Sequence, residues 1–477
     1  MNTVINEAWF RARFFHHAEF MLSKNLRDLV TRVAVNLRNI VVGADVQIPL
    51  PNGRQVTPIN LDNAASTPPF LSVLQAIERF APWYSSIHRG QGYKSVASTE
   101  MYESGRDAIK RFVNADNIKD TVIYTKNTTE SINMLAHVLQ QDQKTRVVLS
   151  TEMEHLANDL PWRENFFVKY IKVDEFGRLS IDDLEKKLQE YRGSVKLVTV
   201  AGASNVTGYV NPIYTIAPIA HHYGAQIHVD GAQQVPHLSF DMKPYDSPEH
   251  IDYLSFSGHK MYAPFGTGVL IGPSTVFQNT DPFLKGGGAV RLVSRQFVDW
   301  DDPPARDEAG TSNVMGVVAL VAAIKELESL NMVDIRSYER RLIDHAIERL
   351  QTIRFIKLYC FQAKDEARIS LISFAVEGLN HHVVAQILSD EFGIAVRSGL
   401  FCAHPYVEKL LRMSQKDIEA FRKDPHLPFP GLVRISLGLY NQLEEIDIFL
   451  DAIAKIAGSR EHYREKFTPG VKLAWHG

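Results

Sequence analysis

Apolar side chains divide the chain. Over residues 1–50 they recur at three- and four-residue steps (Phe20, Leu22, Leu26, Leu29, Val33, Leu37), the period of an amphipathic helix. Two short β-prone runs, 47–50 and 55–59, flank Pro51-Asn52-Gly53-Arg54, and an Asn-Gly pair between such runs predicts a tight hairpin. From residue 71 the patterns alternate. Helical periodicity marks 71–80, 99–113, 128–138, 181–191 and 213–222; extended runs mark 121–124, 146–150, 167–171, 197–201, 226–229, 253–256 and 268–272. Regular βα alternation predicts a mostly parallel sheet covered by helices on both faces.

The pattern changes after residue 281. A loop-rich stretch, 281–307, holds Gly286-Gly287-Gly288 and Pro303-Pro304, and long irregular segments in α/β proteins tend to carry function. Helices over 314–330 and 334–352 lead into strands at 369–376 and 433–437 with helices at 381–392 and 443–456, the outline of a compact α+β module. The expected organisation is an N-terminal helical and hairpin extension (1–59), a large α/β domain (60–315) and a smaller C-terminal α+β domain (316–477).

Composition narrows the function classes. A formal net charge of -3 gives no reason to expect a nucleic-acid or anionic-membrane partner, so a small-molecule substrate is the default. Two cysteines, Cys360 and Cys402, cannot build a disulfide framework and suit a reducing compartment. No apolar run approaches the roughly twenty residues of a membrane span. Glu7, Arg11 and Arg13 interrupt what would be the core of a secretory signal, and the expectation is a cytoplasmic protein.

The chemistry concentrates in 226–268. One predicted strand delivers Asp230 at its carboxyl end and the next delivers Ser257, His259 and Lys260, which places an acid and an amine at one sheet edge, where open α/β sheets bind ligands. Pyridoxal phosphate asks for this pair: an amine for a Schiff base and a carboxylate that keeps the pyridine nitrogen protonated. Taken singly, a lysine past a strand is ordinarily a surface residue and an aspartate there a turn cap. The same duality holds at Asn127-Thr128-Thr129-Glu130, which reads as a capping box or as a phosphate cradle at a helix N-terminus. Gly266, Gly268 and Gly272 lack the spacing of a dinucleotide fingerprint. The paired histidines (His16/His17, His221/His222, His381/His382) lack a zinc spacing, and no metal site is expected.

Ten motifs in order give the chain a family resemblance: LDNAAS (61–66), NTTE (127–130), EMEH (152–155), SNVTG (204–208), DGAQ (230–233), SGHK (257–260), GGG (286–288), EAGTSN (308–313), RSGLFCAHP (397–405) and RISLGLYN (434–441). Over roughly residues 60–457 the chain resembles the class V aminotransferase family of fold-type I pyridoxal phosphate enzymes, and most nearly its cysteine desulfurase/selenocysteine lyase branch. The resemblance implies a homodimer in which Lys260 holds the cofactor and moves protons at the substrate α-carbon. Asp230 would bond the ring nitrogen, Gln233 the ring oxygen, and His155 would stack on the ring. Thr128, Thr129, Ser257 and His259 would hold the phosphate, joined by Thr311 from the other subunit, and Asn205 and Arg434 would take the substrate carboxylate. Cys402, in a loop with Arg397 and His404 near in sequence, would be the sulfur-accepting nucleophile that passes a persulfide to an acceptor protein or small thiol, whereas Cys360 reads as a buried small hydrophobe. The chain departs from the family pattern at Phe401 and Leu156, where many relatives carry histidines, at Gly92, and in a charged segment at 413–430. The alternatives are a C–S lyase, epimerase or aminotransferase acting on a specialised amino acid, and a scaffold without catalysis.

Overall fold

The protein is described by a computed structural model covering residues 37–467 apart from 142–144, 362–366, 425, 426 and 428. Most of the apolar lead-in therefore lies outside the described residues; its last member, Leu37, is buried in the core.

Seven strands form the central sheet: β1 (Asp120–Thr125), β2 (Val147–Thr151), β3 (Phe167–Ile171), β4 (Val195–Ala201), β5 (Gln226–Asp230), β6 (Tyr253–Ser257) and β7 (Gly268–Pro273). Their order is β1-β7-β6-β5-β4-β2-β3. The expected mostly parallel sheet is present, and only β7 runs against its neighbours. Runs such as Val147-Val148-Leu149 and Val229 are buried because helices cover both faces, which is why these strands read as continuous apolar stretches. Register then sets the working edge. Gly268 lies opposite both Thr125 and Ser257, and Asp230 pairs with Ser255, so the ends of β1, β7, β6 and β5 are level.

A second sheet is antiparallel, in the order Ile356–Leu358, Leu371–Val376, Leu432–Ser436, Arg397–Gly399. Helices His381–Phe392 and Met332–Leu350 pack on it, and Leu443–Gly458 packs on both of these helices. The hairpin expected around Asn52-Gly53 is present as Ile48–Pro49 paired with Gln55–Val56, with Gly53 at φ +81°. The following residues leave it: Ile59–Asn60 pairs in parallel with Ile394–Ala395, and Asp62 bridges Ser436, which stitches the LDNAAS segment to the second sheet.

Three local expectations change. The helix expected at 99–113 begins earlier, as Tyr93–Phe112, because the polar first turn Tyr93-Lys94-Ser95 hides its periodicity. Residues 281–307 are not wholly irregular: Val290–Val293 and Val298–Trp300 pair as an exposed ribbon pinned by Arg291, whose Nε and Nη2 both donate to Asp299 at 2.9 Å. The charged segment at 413–430 contains helix Gln415–Lys423, started by a reciprocal capping box between Ser414 and Asp417.

Candidate active site

A cavity of about 260 Å³ opens at the carboxyl edge of the large sheet, between the ends of β5 and β6, the start of helix Thr128–Leu139 and the loop following Arg397–Gly399. Every residue expected to hold the cofactor or substrate or to act on it lines it except Thr311, which is exposed in the loop before helix Val314–Leu330.

Hydrogen bonds order the helix end that lines the cavity. Asn127 Oδ1 accepts from the Glu130 amide at 3.0 Å, while Glu130 Oε2 accepts from the amide of Lys126 at 2.5 Å, one residue before the position a capping box requires. Ser257 Oγ accepts from the Thr128 amide at 2.7 Å and lies 2.6 Å from Thr128 Oγ1, so hydroxyls from two elements meet at a helix N-terminus. Gly268 makes the approach possible: a Cβ there would lie 2.5 Å from the Asn127 backbone.

Asp230 is buried at the next strand end, and its Oδ1 accepts from the Ala232 amide at 3.0 Å. Gln233 Nε2 donates to the Ala64 carbonyl at 2.7 Å. Asn205 Nδ2 donates to the Phe401 carbonyl at 2.7 Å, and the Leu156 amide donates to the Cys402 carbonyl at 2.7 Å, so two main-chain oxygens of the cysteine loop are tied to the segments that follow β4 and β2. Phe401 and Cys402 both hold φ near +52°, the left-handed region that non-glycine residues rarely enter. The Cys402 side of that loop is exposed and its thiol free. Arg434 is buried beneath Phe401, whose ring centroid lies 5.0 Å from the guanidinium carbon. Arg434 donates from Nη1 to the Asn205 carbonyl (2.9 Å) and from Nη2 to Asp62 Oδ1 (3.1 Å), and its buried Nε finds no acceptor among the described residues.

The class-V aminotransferase family model matches residues 59–449, a span that contains the whole of this cavity. The chain belongs to the class-V aminotransferase family. It is 33% identical over 421 residues to a cysteine desulfurase of Haloferax volcanii, covering 86% of this chain and 92% of the relative. To a probable cysteine desulfurase of Staphylococcus aureus it is 34% identical over 414 residues, 84% of this chain and 92% of the relative. Among solved structures, the apo cysteine desulfurase of Thermococcus onnurineus aligns with a TM-score of 0.75 at 31% identity, covering 84% of this chain and 95% of that one. The Escherichia coli cysteine desulfurase CsdA, in an S-sulfonic acid form, aligns at 0.72 and 26% identity, covering 90% and 98%.

In this class-V aminotransferase the charges are arranged around Lys260. Burial pulls its amine down to about 8; the nearby Asp230 carboxylate acts against that shift and Arg434 adds to it. Burial raises Asp230, opposed by the Ala232 amide and Lys260. Burial, helped by Lys260 and Arg434, takes His155 down to about 4, and its Nδ1 accepts from the Ala157 amide at 3.0 Å, so it is a neutral ring with its proton on Nε2. His259 also falls to about 4 through burial and Lys260. The donor set fits pyridoxal phosphate: a suppressed amine, a buried carboxylate, a flat neutral imidazole, a hydroxyl-lined helix start and an orphaned guanidinium N–H.

Sequence reasoning missed several members of the site. Asp62 lies in a motif already recognised, but its contact with Arg434 spans 372 positions and leaves no local trace. Glu154 is buried behind the site: Oε1 accepts from Thr151 Oγ1 (2.5 Å) and the Ala201 amide (3.0 Å), and Oε2 from Asn158 Nδ2 (2.6 Å). Burial raises its carboxyl to about 8 against those bonds. Arg397 lines the cavity, whereas His404 is exposed at the start of helix His404–Leu410 and does not. Cys360 is buried as expected, with Sγ 3.7 Å from the Tyr406 hydroxyl.

Proposed function

We propose that the chain is a pyridoxal phosphate-dependent cysteine desulfurase that takes sulfur from L-cysteine, or selenium from selenocysteine, and leaves L-alanine. The observation that carries this reading is that the Cys402 loop opens on the same cavity as Lys260, Asp230 and Arg434. The names of the relatives support the same chemistry.

Pyridoxal phosphate, when bound, supplies an electron sink conjugated to the substrate α-carbon. Thr128, Thr129, Ser257 and His259 hold its phosphate, Asp230 the ring nitrogen, Gln233 the ring oxygen and His155 the ring face. Arg434 and Asn205 receive the substrate carboxylate; a guanidinium with free N–H groups suits that role better than an ammonium would. Lys260, an amine with a depressed proton affinity, moves the proton at the α-carbon. Cys402 Sγ then attacks the substrate sulfur as a thiolate: the S–S bond forms as the Cβ–S bond breaks, and that bond's electron pair returns to the substrate carbon, which is protonated to alanine. The persulfide on Cys402 passes to an acceptor protein or small thiol. Thr311 reaches the phosphate of the other subunit in a homodimer, and the enzyme works in the cytoplasm. Among the described residues no helix is long and apolar enough to cross a membrane.

Purified protein loaded with pyridoxal phosphate should convert cysteine to alanine and sulfide when a reductant is present, and Cys402→Ala should lose the persulfide seen by mass spectrometry. Pyruvate and ammonia in place of alanine, or undiminished turnover of cysteine by Cys402→Ala, would reject the reading.

A further inference from the structure

Strand β1 stands at one end of the large sheet, so one of its edges faces no further strand among the described residues. Main-chain groups on such an edge need other partners. An ion pair supplies them. Arg106, from helix Tyr93–Phe112, donates from Nη1 to the Val122 carbonyl at 2.6 Å, and Glu308 Oε1 accepts from the Tyr124 amide at 2.7 Å. The two side chains meet as a fork, Nη1 to Oε1 at 2.8 Å and Nη2 to Oε2 at 2.9 Å, and the Tyr102 hydroxyl donates to Oε2 at 2.7 Å. Their side chains are 9% and 5% exposed, and a buried carboxylate with donors on both oxygens is held in one place.

That carboxylate opens the loop that carries Thr311. Beyond it, the Gly310 amide donates to the Gly287 carbonyl at 2.8 Å, and Asn313 Nδ2 donates to the carbonyls of Phe265 (2.8 Å) and Gly266 (3.0 Å). Thr311, between these anchors, is exposed and lies outside the cavity of its own subunit. A loop fixed at both ends presents its tip in a set direction, with little ordering left to do on contact. The other end of the connection is the helix start expected to hold the phosphate: Tyr124 is followed by the last residue of β1, by the cap residue Asn127 and by Thr128. Glu308 thus ties one subunit's phosphate cradle to a loop that does not serve it.

We propose that Glu308, held by Arg106, is a positioning residue that sets Thr311 for the phosphate in the partner subunit, so that each cofactor site depends on the ion pair of the other subunit. The inference rests on the reading that Thr311 crosses between subunits.

Mixed dimers test it, because the effect must appear in trans. One subunit carries Lys260→Ala together with Glu308→Gln, and the other is unaltered; after borohydride reduction only the unaltered subunit yields a Lys260 peptide bearing the cofactor. Dimers are purified by two different tags and used at concentrations where sedimentation shows them intact. Titration with pyridoxal phosphate, read by mass spectrometry of that peptide, should give a Kd about tenfold or more above that of mixed dimers carrying Lys260→Ala alone. Thr311→Ala in place of Glu308→Gln should raise it as well. Tyr102→Phe deletes one donor and leaves the ion pair, so it folds where Glu308→Gln does not, and it should raise the Kd about threefold. An unchanged Kd with Glu308→Gln, or with Tyr102→Phe if the former does not fold, beside a raised one with Thr311→Ala overturns this proposal alone. An unchanged Kd with Thr311→Ala overturns the crossing itself, and this proposal with it.

Discussion

The amine of Lys260 offers a test that needs neither substrate nor turnover. With a proton affinity near 8 in place of 10.5, it is neutral in roughly one molecule in ten at pH 7, against roughly one in three thousand for an ordinary lysine. That is about a 300-fold gain in the form able to attack a carbonyl. Burial depresses the value, and Asp230 opposes it because its carboxylate favours the ammonium. Asp230→Asn removes that support, and since a nearby opposite charge is worth about one to three units, the Lys260 midpoint should fall by about one unit or more. Competitive acetylation of the cofactor-free protein, followed by mass spectrometry of the peptide containing Lys260, reads the midpoint directly against pH. A native midpoint near that of an exposed lysine, or one that stays in place or rises in Asp230→Asn, would refute the electrostatic account of the site.

Four other outcomes follow from the same geometry. Ser257→Ala strands the Thr128 amide and hydroxyl and should cost about 1–3 kcal/mol, seen as a lower melting temperature in the cofactor-free protein and partly restored by inorganic phosphate, which supplies new acceptors. Glu154 binds its proton more tightly in the folded state, so the native protein holds more protons than the unfolded chain between about 4.5 and about 8 and stability falls as pH rises through that window; in Glu154→Gln, urea midpoints across it should be flatter. Arg434→Lys keeps a charge but loses the fork that reaches Asn205 and Asp62, and steady-state kinetics should show KM for cysteine raised about tenfold or more. Gly268→Ala pushes a Cβ into the Asn127 backbone and should weaken cofactor retention during gel filtration.

The parts of this molecule legible in the sequence are those fixed by local pattern. Continuous apolar runs announced the strands, and a short strand ending in Asp230 beside another ending in Ser257 announced the edge where the cavity opens, because parallel strands deliver their last residues to one side. What stayed hidden depends on distance or direction. No periodicity distinguishes the antiparallel β7 from its parallel neighbours. Asp62 meets Arg434 because Ile59–Asn60 pairs with Ile394–Ala395 and Asp62 itself bridges Ser436 of the second sheet, contacts between segments more than 300 positions apart.

The Cys402 loop is held by its own carbonyl oxygens and not by the groups that branch from it. Leu156 and Asn205 grip the peptides at 402 and 401 and would do so whatever side chains those peptides carried. Position 401 can therefore exchange an aromatic hydrocarbon for an imidazole and retune the polarity over Arg434 while the sulfur stays at the same coordinates. Location and reactivity become separately adjustable properties of one short loop.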